Sequence, residues 1–123
     1  SLALFMDYLQ YLNKQPTELE NITIEIKEGT LTKTGATIII TDFNKKKNIY
    51  SEEYRIDQKR KQKWKELEGN EVWFDLIGHL VDENHQLERK LDWKARYGEL
   101  KPGEYRIVTP VNGDYIAVKF TIE

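Results

Sequence analysis

A short basic segment around one aromatic residue contains the residue types best suited to binding a charged ligand. Its cations are spaced one or two positions apart around Trp64; they are Lys59, Arg60, Lys61, Lys63 and Lys65. Clustered cations beside an aromatic ring can bind phosphate-rich polymers, anionic lipid head groups or teichoic-acid-like wall polymers. The same charges can also keep the edge of a sheet from pairing with a foreign strand. Three further lysines, 45–47, are expected to approach these cations at hairpin tips.

The other residues of types used in catalysis or metal binding form no recognisable pattern. His79 and His85 are the two histidines, whereas a metal site needs three or four converging ligands. Ser51 lies in no nucleophile-elbow context, and Glu52 and Glu53 would point to opposite faces of a strand. No glycine-rich phosphate loop is present. We therefore predict that the protein is not an enzyme and binds no metal or cofactor.

Composition indicates one folded domain with an uneven distribution of charge. The chain has 123 residues, 39% of them apolar, and a formal charge of -2, which argues against a nucleic-acid partner. Residues 45–65 carry nine Lys/Arg against three Asp/Glu, a local charge of +6, and the remainder carries ten against eighteen, or -8. The absence of cysteine excludes disulfides and thiolate metal sites. No run of about 18 apolar residues predicts a membrane span.

Residues 1–20 are predicted to form a helix and a linker. Apolar residues recur at helical spacing until residues 13–16 end the pattern; they are Leu2, Phe5, Leu9 and Leu12. A helix with such a stripe must lie on something. It could pack on the domain or on a neighbouring copy in a homo-oligomer, or it could be the stub of a membrane anchor or of a preceding domain.

Residues 21–123 are predicted to form the folded domain, because their pattern is that of short strands. Ile22, Ile24 and Ile26 alternate with polar residues, and residues 37–41 are apolar enough for a central strand covered on both sides. Further strands are expected at 50–57, 64–67, 72–80, 86–91, from Tyr105 and at 116–122, with a hairpin tip at 58–62 and a tight turn at Asn112-Gly113. About seven strands with polar turns favour an all-β antiparallel sandwich.

Residues 73–77 do not fit a simple strand. Trp73 and Phe74 are adjacent, and Leu76 and Ile77 follow, so these side chains cannot all face one core. We expect the N-terminal helix to cover them. A partner-binding patch is the alternative.

The stretch from residue 91 to residue 108 predicts how one end of the sandwich closes. Asp92 is a good N-cap for a short helical turn, and Gly98 can end that turn. A Pro102-Gly103 turn then leads into a strand that begins with Tyr105. A tyrosine in this position can reach back with its hydroxyl to the backbone across the end of a sandwich.

Two sets of residues resemble a known family. They are Trp93-x-x-x-Tyr97-Gly98-x-Leu100-x-Pro102-Gly103-x-Tyr105-Arg106-Ile107-Val108, and Ser51-Glu52-Glu53-Tyr54-x-Ile56 followed by Trp64. Together they resemble a bacterial immunoglobulin-like domain family of Gram-positive bacteria, over about residues 22–123. Ser51 stands where a glycine is usual, and Glu83-Asn84 where Pro-Gly is common. The resemblance implies an immunoglobulin-like β-sandwich with a short E–F-type helical turn, in which Ile107 takes the place of the second cysteine.

The resemblance also implies a role. Members typically occur in secreted, lipid-anchored or membrane-attached proteins as accessory modules, and the family has no catalytic motif to transfer. It implies a packed Trp64, which favours the edge-protecting interpretation of the basic segment. We therefore expect an extracytoplasmic accessory, interaction or spacer module whose partner is another protein or a cell-envelope polymer. The alternative is a sensory or ligand-binding domain that holds an anionic ligand through residues 45–65.

Overall fold

The computed structural model describes the backbone of all 123 residues and the side chains of residues 1–6, 9 and 14–123. The described backbone forms two helices and seven strands. Their bounds are α1 Leu2–Asn13, β1 Ile22–Ile26, β2 Gly35–Asp42, β3 Arg55–Arg60, β4 Lys63–Glu66, β5 Gln86–Asp92, α2 Lys94–Tyr97, β6 Gly103–Val111 and β7 Asp114–Ile122. The predicted antiparallel sandwich is confirmed: one sheet has the order β1-β2-β5 and the other β4-β3-β6-β7.

The core lies between the two sheets and is built by strict alternation along the central strands. In β2, Ile38 and Ile40 are fully buried while the intervening residues are only half-buried. The strand is central in its sheet, as predicted, but the expectation that it is covered on both sides is wrong. The second layer contributes Ile56 and Ile107, both fully buried. Burial of such side chains stabilises the fold by roughly 1.5–3 kcal/mol each.

Trp93 joins the two layers. Its side chain is fully buried, its indole nitrogen donates to the Lys33 carbonyl oxygen at 2.9 Å, and its ring lies 5.9 Å from that of Phe120. A buried indole keeps its hydrophobic contribution only when its N–H finds an acceptor. The turn before β2 supplies that acceptor, so Trp93 fixes both the core and the loop next to it.

Three predictions about the strands and their turns need correction. The third strand begins at Arg55 rather than at Tyr50, and the β3–β4 tip is a two-residue turn at Lys61 and Gln62 instead of the predicted 58–62 loop. Residues 72–80 form no strand; a single bridge joins His79 to Tyr50. Two predicted features are confirmed: Asn112 and Gly113 form a tight turn with φ of 50° and 87°, and β5 occupies residues 86–92.

Residues 18–123 begin and end at opposite ends of the sandwich. The start of β1 lies beside the β6–β7 turn, since Leu19 and Glu20 line a cavity with Asn112 and Asp114. The end of β7 lies at the other end, where Ile122 pairs with Gly103 at the start of β6. The nine residues of β6 separate these ends by about 27 Å at 3.4 Å per residue.

The N-terminal helix forms as predicted but does not cover residues 73–77. Trp73 is 94% exposed and Leu76 is fully exposed. The prediction that α1 packs over this segment is therefore wrong. Among the described residues, no helix has the length and apolar character required to cross a bilayer.

Candidate functional site

The predicted corner is present at the start of β6. The Tyr105 hydroxyl donates to the backbone carbonyl oxygen of Lys101 at 2.6 Å, and the Tyr105 ring stacks on Phe120 with 5.5 Å between centroids. Burial raises the pKa of Tyr105 above its ordinary value. Pro102 and Gly103 lie between the two hydrogen-bonded residues and lead the chain into β6.

The short helix α2 precedes the corner in the chain. The N-cap of this turn is Trp93, one residue later than the predicted Asp92. The Asp92 carboxylate still accepts the Lys94 amide hydrogen at 3.1 Å, and Gly98 ends the turn with a φ of 70°. The Tyr97 hydroxyl accepts the Ile56 amide hydrogen at 3.2 Å. Tyr97 therefore ties α2 to the four-stranded sheet.

The register of the β3–β4 hairpin divides the predicted basic cluster between two faces. Lys59 pairs with Trp64 on the outer face, where the Trp64 ring lies 5.9 Å from the Lys59 ammonium and 4.7 Å from the Arg106 guanidinium. This ring is half-buried and already contacts two cations, so it is not a free stacking platform.

Three of the cations share the opposite face of the hairpin. Arg60 pairs with Lys63, and Lys65 lies across from Gln58, while Lys61 occupies the turn. A cavity of about 370 Å³ opens on this face, and Arg60, Lys65, Glu66 and Glu68 are among its lining residues. The two carboxylates reduce the positive potential of the cavity, so the hairpin is a mixed-charge surface with an excess of cations.

The second lysine group lies at the opposite end of the molecule. Lysines 45–47 follow the end of β2, and the neighbouring Asn48 is hydrogen-bonded to Asn112 in the β6–β7 turn. The β3–β4 tip instead lies beyond the start of β6, because Gln58 pairs with Tyr105. The prediction that the two basic groups come together is therefore wrong.

Sequence reasoning missed a buried ion cluster on the outer face of the four-stranded sheet. The Asp57 carboxylate accepts from Arg55 Nε at 3.0 Å and from Arg106 Nε at 2.7 Å. All three side chains are largely buried, and Trp64 and Tyr115 cover the two guanidiniums. The alternation of β3 and β6 could have placed these residues on one face, but no local motif marks them.

The same arginines hold the N-terminal segment against the sheet. Arg55 donates to the Lys14 carbonyl oxygen at 2.8 Å, and Arg106 donates to the Gln15 side chain at 3.1 Å. The Thr17 amide then donates to the Tyr115 carbonyl oxygen at 2.8 Å. Residues 14–17, which we call the strap, thus cross the outer face of the sheet from β3 to β7.

The two histidines do not converge. His79 contacts the Glu52 carboxylate, whose other oxygen accepts from Arg89 at 3.1 Å. The hydrogen bond with His79 lowers the pKa of Glu52, and Arg89 lowers it further against the effect of burial. His85 lies in a turn, and its ring is tilted against that of Phe43 with 4.8 Å between centroids. Among the described side chains, no group of three or more His, Cys, Asp or Glu could hold a metal ion.

A buried polar network closes the end that carries the β6–β7 turn. Burial alone would raise the pKa of Asp42, but hydrogen bonds from Asn48, Tyr50 and Asn44 outweigh it and hold the pKa below its ordinary value. The Tyr50 hydroxyl donates to Asp42 at 2.7 Å, and the Tyr50 backbone bridges to Val111. This carboxylate is saturated with donors, which makes it structural.

Residues 67–80, which we call the anchored loop, have no regular structure yet are tightly held. Asn70 donates from its backbone and its side chain to the carbonyl oxygens of Arg96 and Ala95, each at 2.9 Å. Phe74 packs edge-on against Tyr54 and lies under the Arg96 guanidinium. The loop therefore has a fixed base from which Trp73 and Leu76 project into solvent.

The family comparison agrees with this architecture. Residues 18–121 match the family model described as a bacterial Ig-like domain. The chain belongs to the bacterial Ig-like domain family. No curated protein and no solved structure matches it.

Membership indicates a general class of protein. Bacterial Ig-like domains are generally non-catalytic accessory modules and are often extracellular. In this bacterial Ig-like domain, Ile107 is fully buried at the centre of the core. The surface features described above are the β3–β4 hairpin, the strap and the anchored loop.

Proposed function

We propose that this bacterial Ig-like domain is a non-enzymatic spacer and interaction module of an extracytoplasmic protein. The observation that carries the proposal is the placement of its two ends. Residue 19 and residue 122 lie near opposite ends of β6, a strand of nine residues that is about 27 Å long. Domains with this geometry extend an array when they are joined in series.

The strap supports the same role. A spacer keeps its direction only if the segment that leads into the domain is fixed. Residues 14–17 accept hydrogen bonds from Arg55 and Arg106, and the Thr17 amide donates to the Tyr115 carbonyl oxygen. The guanidiniums that make two of these bonds are themselves fixed by Asp57. The segment before the domain is thus oriented by the sheet instead of swinging freely.

A tandem protein tests the spacer role. Two copies of residues 14–123, which include the strap, joined directly should give, in small-angle X-ray scattering, a maximum dimension close to the sum of two domains end to end. A matched control inserts a long Gly/Ser linker, which behaves as a flexible coil and should broaden the distance distribution. A compact, side-by-side envelope for the direct fusion would contradict the proposal.

The compartment is tested in cells that produce the protein. The chain presents many exposed lysines, among them Lys45, Lys46 and Lys101. A membrane-impermeant amine reagent should label these lysines in intact cells to the same extent as in lysed cells. Labelling only after lysis would place the domain in the cytoplasm and refute this part of the proposal.

A second candidate function is the binding of an anionic cell-envelope polymer by the β3–β4 hairpin. The observation in its favour is that Arg60, Lys63 and Lys65 lie on one face, beside a cavity of about 370 Å³. Exposed cations of this kind attract phosphate groups in a salt-dependent manner. Lys59 contributes less, because it lies over Trp64 on the other face.

The two basic groups provide a matched control for this candidate. A polyglycerol-phosphate probe should bind the full chain at low salt and dissociate as salt rises. Replacing Arg60 and Lys65 with Gln should lower the slope of log K against log salt by roughly two units, one for each lost phosphate contact. The charge-matched variant Lys45→Gln with Lys46→Gln, at the far end, should bind like wild type. Equal losses of binding in both double variants would contradict a site on the hairpin, because they would show that binding depends only on the overall charge.

A further inference from the structure

The exposed apolar side chains of this domain are concentrated on two surfaces. Of the ten large hydrophobic side chains that are exposed among those described, eight belong to α1 or to the anchored loop. They are Leu2, Leu4, Phe5 and Met6 on the helix, and Trp73, Leu76, Ile77 and Leu80 on the loop. Concentrated exposure of this kind marks an interaction site, whereas scattered exposed residues do not.

The helix surface has the spacing of a packing face. Leu2, Phe5, Met6 and Leu9 follow the i, i+3, i+4, i+7 pattern. Helix α1 contains no Lys or Arg, whereas helices that lie on membranes carry basic residues on their polar face. The exposed carboxylates of Glu71 and Asp75 flank Trp73 and disfavour an anionic lipid surface. Both apolar surfaces therefore fit a protein partner better than a membrane.

The loop surface is preorganised. Phe74 is held by Tyr54 and Arg96, and His79 is bridged to Tyr50 at the far end of the loop. A Cβ at Gly69 would lie 2.7 Å from the Arg96 carbonyl oxygen, so the first turn of the loop is also close-packed. Because the base of the loop is already fixed, the loop loses little conformational entropy when a partner covers Trp73 and Leu76.

The C-terminal end of helix α1 lies on the same side of the molecule as the anchored loop. Lys14, the residue after α1, lines a cavity of about 90 Å³ together with Phe74 and Arg96, and its carbonyl oxygen is held by Arg55. The C-terminal end of α1 is thus fixed beside the base of the anchored loop. One two-fold axis near this point can place each helix on the loop of the other copy, the reciprocal arrangement of an isologous dimer.

We propose that the chain forms a homodimer in which α1 of each copy packs on Trp73 and Leu76 of the other. At roughly 100 Å² for each of eight side chains, each copy would bury roughly 800 Å², the size of a standard stable interface. Trp73 has the residue type and position of an interface hot spot. A second copy is the occupant the chain itself supplies, since each surface is the apolar complement of the other.

The oligomeric state of the full chain tests the proposal. Light scattering after size exclusion should give twice the chain mass for wild type. The variant Trp73→Ser with Leu76→Ser and the variant Leu2→Ser with Phe5→Ser should each give one chain mass. The control Phe43→Ser changes an exposed aromatic residue outside these surfaces and should remain a dimer. Unchanged thermal unfolding at low concentration shows that the surface variants still fold.

Cross-linking distinguishes the proposed contact from other dimers. Because the protein has no cysteine, Phe5→Cys mixed with Leu76→Cys should give a disulfide-linked dimer that contains one copy of each variant. Phe5→Cys mixed with Phe43→Cys should not. A monomeric wild type, or a dimer lost in the helix variant but kept in the loop variant, would overturn the proposal. Co-flotation of monomeric wild type with neutral vesicles would also overturn it, by making lipid the occupant.

Discussion

Tyr105 donates its hydroxyl hydrogen to the backbone carbonyl oxygen of Lys101, four residues earlier, at a distance of 2.6 Å. The ring of the same tyrosine stacks on Phe120 of the neighbouring strand. One side chain therefore fastens the Pro102-Gly103 turn to the core, and it sets the end of the sandwich from which the chain leaves.

Removal of this hydroxyl should destabilise the fold modestly. Tyr105→Phe keeps the ring contact and deletes the hydrogen bond, so we expect the free energy of unfolding to fall by about 1 kcal/mol, the typical net contribution of such a bond. Urea denaturation measures the change. Tyr115→Phe is the control, because the contact described for Tyr115 is made by its ring over Arg55. Equal losses in the two variants would show that the corner bond has no particular role.

Loss of the Asp57 carboxylate should be far more damaging. Asp57→Ala leaves the guanidiniums of Arg55 and Arg106 buried without their counter-charge, which costs about 3–5 kcal/mol. The control Glu88→Ala removes a carboxylate from an ion pair with Lys27 whose side chains are half exposed, where we expect less than about 1 kcal/mol. Guanidinium denaturation should separate the two variants clearly. A loss below about 1 kcal/mol for Asp57→Ala would contradict the assigned role.

Stability should fall in acid partly through Glu52. The hydrogen bond with His79 is the main reason that the pKa of Glu52 in the folded protein lies below its ordinary value of 4.5. At pH values between the folded pKa and 4.5, the unfolded chain therefore binds more protons than the folded one. The contribution of Glu52 is therefore complete above about pH 4.5 and disappears as the pH falls through the folded pKa. Glu52→Gln should flatten the dependence of unfolding free energy on pH in this window. Glu53→Gln, which changes the exposed neighbour, should retain the wild-type slope.

Alkaline pH should destabilise the fold through buried phenols. Burial raises the pKa of Tyr54 to about 12, and burial also raises the pKa of Tyr50, Tyr97 and Tyr105. Above pH 10 the unfolded state has lost these protons while the native state retains them, so the free energy of unfolding falls as the pH rises. Absorbance at the phenolate wavelength should show four tyrosines that titrate late in the folded protein. A single titration near pH 10 for all tyrosines, without unfolding, would refute this.

Features with a local signal could be predicted from the sequence. The Asn112-Gly113 turn followed from a dipeptide that accepts positive φ at both positions, and Tyr105 followed from its place after Pro102-Gly103. The two-residue β3–β4 turn is shorter than the predicted tip at 58–62. Lys61 and Gln62 adopt φ values of 49° and 68° although neither is a residue type that favours positive φ. Here the pairing of the flanking strands, and not residue preference, decides the turn.

Features built from distant residues could not be predicted. Asp57 and Arg106 are 49 residues apart, and Gln15 is 91 residues from Arg106. The sequence around each of these residues therefore contains no pattern that predicts the cluster. The apolar content of residues 72–80 predicts a strand that the structure does not contain. The backbone hydrogen bonds described within this segment join only His79 to Tyr50, and the bonds to α2 come from Asn70, just before it. Trp73 and Leu76 face solvent, so apolar content here does not indicate a buried strand.

The isoleucine at the centre of β6 makes maturation of this domain independent of oxidants. With Ile107 packed where a sulfur bridge could stand, no thiol has to be oxidised, shuffled or protected before the two layers close. Its unfolding midpoint is therefore expected to be identical with and without a reducing agent, and folding can finish at the speed of strand pairing alone.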